Sequence, residues 1–504
     1  MQQHTSRRDF LKLAGLGAAS VGLTFPMVGK TADASFPFDS AQGRQSLENA
    51  AGKKMNVLFL FADDQRADTI AALGNPIIQT PNLDKLCRRG LAFQRAYMQG
   101  SFNGATCIPS RAMLLSGQPL FHCDERLRNE TWPAAFGRAG YATFMSGKWH
   151  NHPTSLIASF QQARAVFVGG MTNPLHAELH DVADGKLVAR PPAHQHACAT
   201  FADEAIKFLQ NVGDKPFFCY VPFDAPHDPH VVPEDFPVSY DAAKIQLPPC
   251  FLPQHPFDNG EMLIRDEVLL PHPRPPDAVR QMIADYYRYI TYLDSLIGRI
   301  LDVLEKSPHA ANTIVVFSAD SGVARGSHGL IGKQNLYELD SLRVPLIIAG
   351  PGIVQNKTTD AMCYLWDVLP TLGALCGVAA PPQSEGQNFA AVLRAPEQPA
   401  RGVLAFAYKD VQRAVCDGRW KLIRYPQVDR TQLFDLQADP HEAHDLAAQP
   451  EHAERIKSLL ALLAAQQKFY GDQQPLTIAH PQSGDWTPAA SGKQKRKAKK
   501  QDAQ

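Results

Sequence analysis

The chain has 504 residues, of which 44 % are hydrophobic and 20 % charged, with 50 basic and 50 acidic side chains. That length exceeds what one small core needs and points to two unequal globular units. The composition excludes a fibrous or disordered class, and the zero formal net charge excludes a whole-protein field that would draw the chain to nucleic acid or to an acidic membrane.

The N-terminus reads as an address. Ser6-Arg7-Arg8-Asp9-Phe10-Leu11-Lys12, a mildly apolar run from Leu13 to Val28 and the small-x-small site Ala32-Asp33-Ala34 look like a twin-arginine export signal over 1–34, cut after Ala34. The run is too short and too rich in Gly and Ala to make a stable membrane span, and no later segment is long enough. The expected destination is the periplasm or the exterior, reached in the folded state through the twin-arginine export machinery.

From Met55 to Val378 the pattern alternates strand and helix. Asn56 to Phe61 is a nearly continuous apolar run followed by acids, the mark of a buried parallel strand. Thr80-Pro81 opens a helix that Gly90 stops after Arg89. Further strands are predicted at Tyr141 to Met145, Phe217 to Pro222, Thr313 to Ser318 and Pro345 to Ala349, with helices at Phe201 to Asn211, Asp277 to Glu305 and Trp366 to Cys376. This is an α/β pattern: an open, mostly parallel sheet covered by helices on both faces, with ligands beyond the carboxyl ends of the strands. His152 to Thr200 and Asp241 to Pro276 show no clear period and are read as long loops on a cleft rim. After about Ala379 short alternating runs, Val403 to Tyr408, Gln412 to Cys416 and Trp420 to Tyr425, predict a small antiparallel sheet, followed by a helix from Glu451 to Lys468. The expected organisation is a catalytic domain over 55–378, a C-terminal α+β subdomain over 379–485 and a disordered basic tail over 486–504.

Several strand ends carry reactive residues. Asp63-Asp64 follows the first strand; two adjacent acids there repel unless a cation joins them, and oxygen ligands suit a hard ion such as calcium or magnesium. Asp320-Ser321 again places an acid at a strand end. Lys148 and His150 alternate across Trp149 and point the same way in extended chain. Asp224 to His230 contains Pro226-His227-Asp228-Pro229, and Gly326 to Lys333 forms a glycine-punctuated loop with His328 and Lys333. Cys107-Ile108-Pro109-Ser110-Arg111 opens a helix, whose unpaired N–H groups favour an anion, with Arg111 one turn beyond Cys107.

The Cys107 to Arg111 pentapeptide with the following Leu114-Leu115-Ser116-Gly117 resembles the signature of the type I sulfatases, of the alkaline phosphatase-like superfamily. The Lys148-Trp149-His150, Pro226-His227 and Lys333 segments, and Asp439-Pro440-His441-Glu442 further on, match that family in order. The resemblance implies a sulfuric ester hydrolase whose Cys107 is converted to Cα-formylglycine by a formylglycine-generating maturation enzyme. An aldehyde hydrate can attack sulfur with one oxygen and expel sulfate with the other. By the same resemblance Asp63, Asp64, Asp320, Ser321 and residue 107 hold one divalent metal, expected to be Ca2+. Arg111 orients the nucleophile, Lys148 and Lys333 bind sulfate oxygens, His150 serves residue 107, and His227, or alternatively His230, protonates the leaving group. Ser321 stands where the family has Asn or His, and a hydroxyl is a shorter, weaker ligand. The implied partner is a sulfated small molecule or glycan, with a carbohydrate sulfate preferred and aryl and choline sulfates open. A phosphoester or phosphonate-ester hydrolase of the same fold and an inactive sulfated-glycan-binding protein are the rival readings. The nine cysteines contain no CxxC and no pairing is assigned; Cys219 and Cys363 read as buried thiols.

Overall fold

The computed structural model describes residues 54–192 and 195–487. The export signal expected at 1–34, and residues 488–504 of the expected tail, lie outside the described residues. Trp486, where that tail was expected to begin, packs edge-on against His272 at 4.5 Å.

Sixteen strands are described: β1 (Asn56–Ala62), β2 (Gly90–Tyr97), β3 (Gly100–Ser101), β4 (Ala142–Trp149), β5 (Gln162–Val168), β6 (Leu179–Ala183), β7 (Lys186–Ala189), β8 (Phe217–Pro222), β9 (Thr313–Ala319), β10 (Arg343–Ala349), β11 (Lys357–Thr359), β12 (Cys363–Tyr364), β13 (Leu404–Tyr408), β14 (Gln412–Cys416), β15 (Trp420–Tyr425) and β16 (Arg430–Asp435). Eleven form one sheet in the order β11-β2-β10-β9-β1-β8-β4-β5-β6-β7, with β12 also on β2. Its centre, β9-β1-β8-β4-β5, is parallel throughout, and the continuous apolar runs of β1 and β8 are buried along their whole length, as strands covered on both faces must be. The second sheet, β16-β15-β14-β13-β3, is small and antiparallel apart from β3. The mixed α/β architecture expected from the sequence is the one observed.

The long buried helix Pro276–Glu305 and the helix Ala197–Asn211 lie close to their expected bounds. The helix Cys107–Ser116 is buried on nearly every side, so its position is fixed all round. The stretch His152 to Thr200 departs from expectation. It contains the helix Pro153–Ser159, β5 and the hairpin β6-β7 at the sheet margin. Edge strands here are short and carry polar residues, which blurs the period-2 signal. β2 was also not foreseen. Gly90 read only as a helix stop, and the strand leaves it directly, antiparallel to β10. Among the described residues every cysteine is free, and Cys219 and Cys363 are buried as expected.

The two sheets share a buried polar seam. Lys421 Nζ, fully buried on β15, lies 3.0 Å from Glu338 and 2.9 Å from Glu442. Glu442 accepts the Glu338 N–H, and its carbonyl accepts His328 Nε2 at 3.1 Å. His328 Nδ1 meets Asp340 Oδ2 at 2.7 Å, and Asp340 pairs with Arg66 at 3.4 Å. Burial opposes a charge on His328, yet the Asp340 carboxylate outweighs it and holds the imidazole well above its ordinary 6.5. A raised histidine stabilises fully below its unfolded pKa, and that contribution fades as pH rises through the folded one. His328→Gln should therefore cost about 3 kcal/mol near pH 6, with the gap from wild type narrowing at alkaline pH in urea unfolding. A gap that does not change with pH would mean the imidazole is neutral in the fold.

Candidate active site

The site lies where β1, β8 and β9 end side by side. The Asp63 N–H donates to the Ala225 carbonyl (3.0 Å), Asp320 N–H to Ala62 (3.2 Å) and Phe223 N–H to Phe61 (2.7 Å), so the three loops are laced together at their roots. Asp64 takes a left-handed backbone, φ 62°, which Asp tolerates better than most residues. Its N–H donates to Asp320 Oδ1 at 3.0 Å, and its carbonyl accepts the Tyr286 hydroxyl at 2.6 Å. The Ser110 hydroxyl donates to the Asp320 carbonyl (2.6 Å), pinning the Cys107 helix onto the end of β9.

Three carboxylates and three cations are buried together here. Arg111 reaches Asp63 Oδ2 at 2.7 Å and Asp320 Oδ2 at 3.0 Å. Lys148 Nζ sits 2.6 Å from Asp63 Oδ2 and donates to the Gly170 carbonyl at 2.5 Å. Lys333 Nζ lies 2.6 Å from both Asp64 oxygens, and the Ser321 hydroxyl donates to Asp64 Oδ1 at 2.9 Å. Burial alone would raise the Asp63 carboxyl, but Lys148 and Arg111 hold it well below the usual range. Asp320 goes the other way: burial and the Asp63 charge push it up to about 7. Both lysines stay charged despite burial, Lys148 through Asp63 and Lys333 through Asp64.

Lys148 and His150 do share a side of their strand. A bulge between Met145 and Gly147 lets β4 turn toward the site. At Gly147, φ 139°, a Cβ would stand 2.0 Å from the Pro222 carbonyl oxygen, so only glycine fits. Trp149 points the opposite way, onto Phe160 in the core. His150 Nδ1 approaches Cys107 Sγ at 2.8 Å. This pair is not a thiolate–imidazolium couple. Burial lifts the thiol to about 11, and burial with the nearby Lys148 lowers His150 to about 3, so both are neutral near pH 7.

His227 faces the cluster, with Nε2 3.7 Å from Asp64 Oδ2 and Nδ1 donating to the Asp228 carbonyl at 2.7 Å. His230 is turned away, against Tyr286 and Tyr289, with Nε2 on Arg325 at 3.0 Å. The structure thus brings Asp63, Asp64, Cys107, Arg111, Lys148, His150, His227, Asp320, Ser321 and Lys333 to one place and leaves His230 and His328 outside it.

An oxygen-seeking cation fits this donor set. Asp63 Oδ1 is buried with no partner among the described residues, and Asp63, Asp64 and His227 together have the spacing of a metal-holding group. With the Asp320 carboxylate and the Ser321 hydroxyl, the donors are mostly oxygens, which favours a hard divalent ion.

The family profile described as sulfatase matches residues 55–378, and that of the N-sulphoglucosamine sulphohydrolase C-terminal region matches 326–468. The chain belongs to the type I sulfatase family. It is a sulfuric ester hydrolase. This sulfatase is 27 % identical over 516 residues to the N-acetylglucosamine-6-O-sulfatase of Bacteroides thetaiotaomicron, covering 84 % of this chain and 88 % of that one. It is 26 % identical over 483 residues to the arylsulfatase of Clostridium perfringens, covering 85 % and 98 %. The crystal structure of the phosphonate monoester hydrolase of Agrobacterium radiobacter shares its fold, with TM-score 0.67 at 21 % identity over 86 % of this chain and 100 % of that one.

Sequence reading missed four contributors. Ser110 lay inside the recognised pentapeptide without a role. Tyr286, in mid-helix, gave no signal. Gln65 is fully buried with neither amide atom partnered among the described residues. Gly170 accepts Lys148 and leaves room for His150: a Cβ there would stand 2.6 Å from the imidazole Cε1 and Nε2. Gly170→Ala should displace that ring and lower turnover of an aryl sulfate at least about tenfold, with the circular dichroism spectrum unchanged. Unchanged turnover would mean the ring moves aside without consequence.

Proposed function

We propose that this sulfatase is exported to the periplasm or beyond and removes sulfate from a carbohydrate, using a formylglycine made from Cys107 and one divalent metal, Ca2+. The assignment of a catalytic domain to 55–378, a C-terminal subdomain to 379–485, a cleaved twin-arginine signal to 1–34 and a basic tail to 486–504 belongs to the same proposal. The observation that carries it is the convergence of Cys107, His150, Lys148, Lys333 and three aspartates on one spot, with His227 facing them. The sugar class is supported by the match to the C-terminal region of a sulphoglucosamine sulphohydrolase and by the N-acetylglucosamine-6-O-sulfatase relative.

Asp63, Asp64, Asp320, Ser321 and residue 107 would hold the metal, which when bound supplies positive charge against the sulfate oxygens. As a formylglycine hydrate, residue 107 supplies one hydroxyl to attack sulfur and a second through which sulfate leaves. The neutral Cys107 thiol is a poor nucleophile, in keeping with a residue that must be converted first. Lys148 and Lys333, charged and buried, neutralise sulfate oxygens. Arg111 keeps Asp63 and Asp320 in place beneath residue 107. His150, neutral and beside position 107, accepts a proton there. The His227 Nδ1–H is committed to the Asp228 carbonyl, so Nε2 is the atom that passes a proton to the departing alcohol.

Mass spectrometry of the tryptic peptide Ala96 to Arg111, from a host with the maturation enzyme, should show the thiol replaced by an aldehyde. An unmodified cysteine removes the attacking group and leaves the glycan-binding reading. Lys333→Ala and His227→Ala should each lower kcat on an aryl sulfate by about 10²–10⁴. Run in parallel, an aryl phosphate should turn over far more slowly than the sulfate; the reverse order would favour the phosphoester hydrolase.

A further inference from the structure

Phe102 is a large apolar residue left 42 % exposed, five positions before Cys107, on a loop that is otherwise firmly held. Lys409 N–H donates to the Ser101 carbonyl at 2.7 Å, and β3 pairs with β13, so the small sheet fixes one flank. Gln334, the neighbour of Lys333, donates from Nε2 to the Gly104 carbonyl at 3.0 Å and fixes the other. Within the loop, Ser101 Oγ accepts the Asn103 N–H and Asn103 Oδ1 accepts the Ala105 N–H. The Phe102 ring stands edge-on to Phe121 at 5.3 Å, and Phe121 stacks on Tyr470. An exposed aromatic that is buttressed from behind is a platform rather than a mobile side chain.

The ring borders a shallow, open cleft of about 570 Å³ lined by Lys409, Asp410, Arg413, Asp472, Gln473 and Gln474, and the Arg413 guanidinium lies over one face of the phenyl ring, 5.8 Å from its centroid. Its cations are already paired within the protein. Arg413 is bidentate to Asp472 at 2.7 and 3.1 Å, Lys409 Nζ pairs with Glu261 at 2.7 Å, and Asp410 accepts Gln427 at 3.2 Å. No lining cation is left over for a second sulfate. Side-chain amides and carboxylates around the part of the phenyl ring that Arg413 leaves exposed suit a neutral, hydroxyl-rich ring whose C–H face lies on it. From Phe102 to Cys107 the chain spans at most about 17 Å, which a short oligosaccharide bridges.

We propose that Phe102 and this cleft form a subsite for an unsulfated sugar unit linked to the one that loses its sulfate, so that the sulfatase prefers an oligosaccharide to a monosaccharide. This rests on the carbohydrate-sulfatase reading of the site. The test compares wild type, Phe102→Ala and Phe102→Trp on 4-nitrophenyl sulfate and on matched mono- and disaccharides carrying N-acetylglucosamine 6-sulfate or galactose 6-sulfate. For at least one sugar, wild type should show kcat/KM about tenfold higher on the disaccharide. Phe102→Ala should abolish that preference through KM, Phe102→Trp should keep it, and aryl sulfate turnover should be the same in all three proteins. Equal rates on mono- and disaccharide in wild type, or an equal loss on every substrate in Phe102→Ala, would overturn the subsite. If wild type hydrolyses nothing, the carbohydrate-sulfatase reading fails separately, and the subsite is judged by NMR titration with the two disaccharides. Binding that Phe102→Ala abolishes then upholds it, and no binding overturns it.

Discussion

Three aspartates cannot be buried within reach of one another unless positive charge is buried with them, and the architecture of the site follows from that constraint. An isolated ion taken out of water costs several kcal/mol even after relaxation. Here Arg111, Lys148 and Lys333 are buried among Asp63, Asp64 and Asp320. Neighbouring strand ends supply the three aspartates and Lys148, while Arg111 comes from the helix Cys107–Ser116 and Lys333 from the loop after β9. β9, β1 and β8 are consecutive in the parallel centre of the sheet, and the hydrogen bonds between their loops set the spacing before any side chain is considered. The cations that stabilise the cluster are the ones proposed above to meet the sulfate oxygens, so the proposed chemistry asks nothing of these positions that the fold does not already ask.

The small sheet takes part in this arrangement. β3, two residues long, comes from the loop that presents Cys107, yet it pairs with β13. The chain behind the reactive residue is thus held by the C-terminal half of the protein. A second connection runs through the buried seam. Lys421 and Glu442 hold the segment with Glu338, His328 and Asp340, while Asp340 meets Arg66, which lies two residues beyond Asp64. Buried polar groups of this kind are tolerated because each finds a partner, and losing one leaves the next uncompensated. The rim inherits the same dependence, since Lys409 reaches the Gly104 side of the Cys107 loop.

How much was legible from sequence varies with the kind of signal. Buried parallel strands announce themselves as unbroken apolar runs, so β1, β8 and β9 were found within a residue or so of their bounds. Acids and histidines directly after such runs must lie at the carboxyl edge, which is why Asp63, Asp64, His227 and Asp320 could be proposed together. The hairpin β6-β7 at the sheet margin was not legible because its strands are short and mostly half-buried or exposed, which removes the pattern on which the reading depends. The place of His230 also required the fold. The Pro226-His227-Asp228-Pro229 resemblance favoured His227, but His230 lies only three residues on in the same loop, and its packing against Tyr286 and Tyr289 is what turns it away.

The sequence by itself determined the fold class and the set of chemical groups that a sulfuric ester hydrolase needs, because local apolar pattern and motif order are properties of short segments. The tertiary structure decided what depends on contacts between distant segments. It fixed which groups carry charge in the buried cluster, why residue 170 must lack a side chain beyond His150, and how Tyr286 and Ser110 brace the loops. It also held the Phe102 loop between the small sheet and Gln334. Each of these is a matter of distance between residues tens to hundreds of positions apart, and no local pattern encodes such a distance.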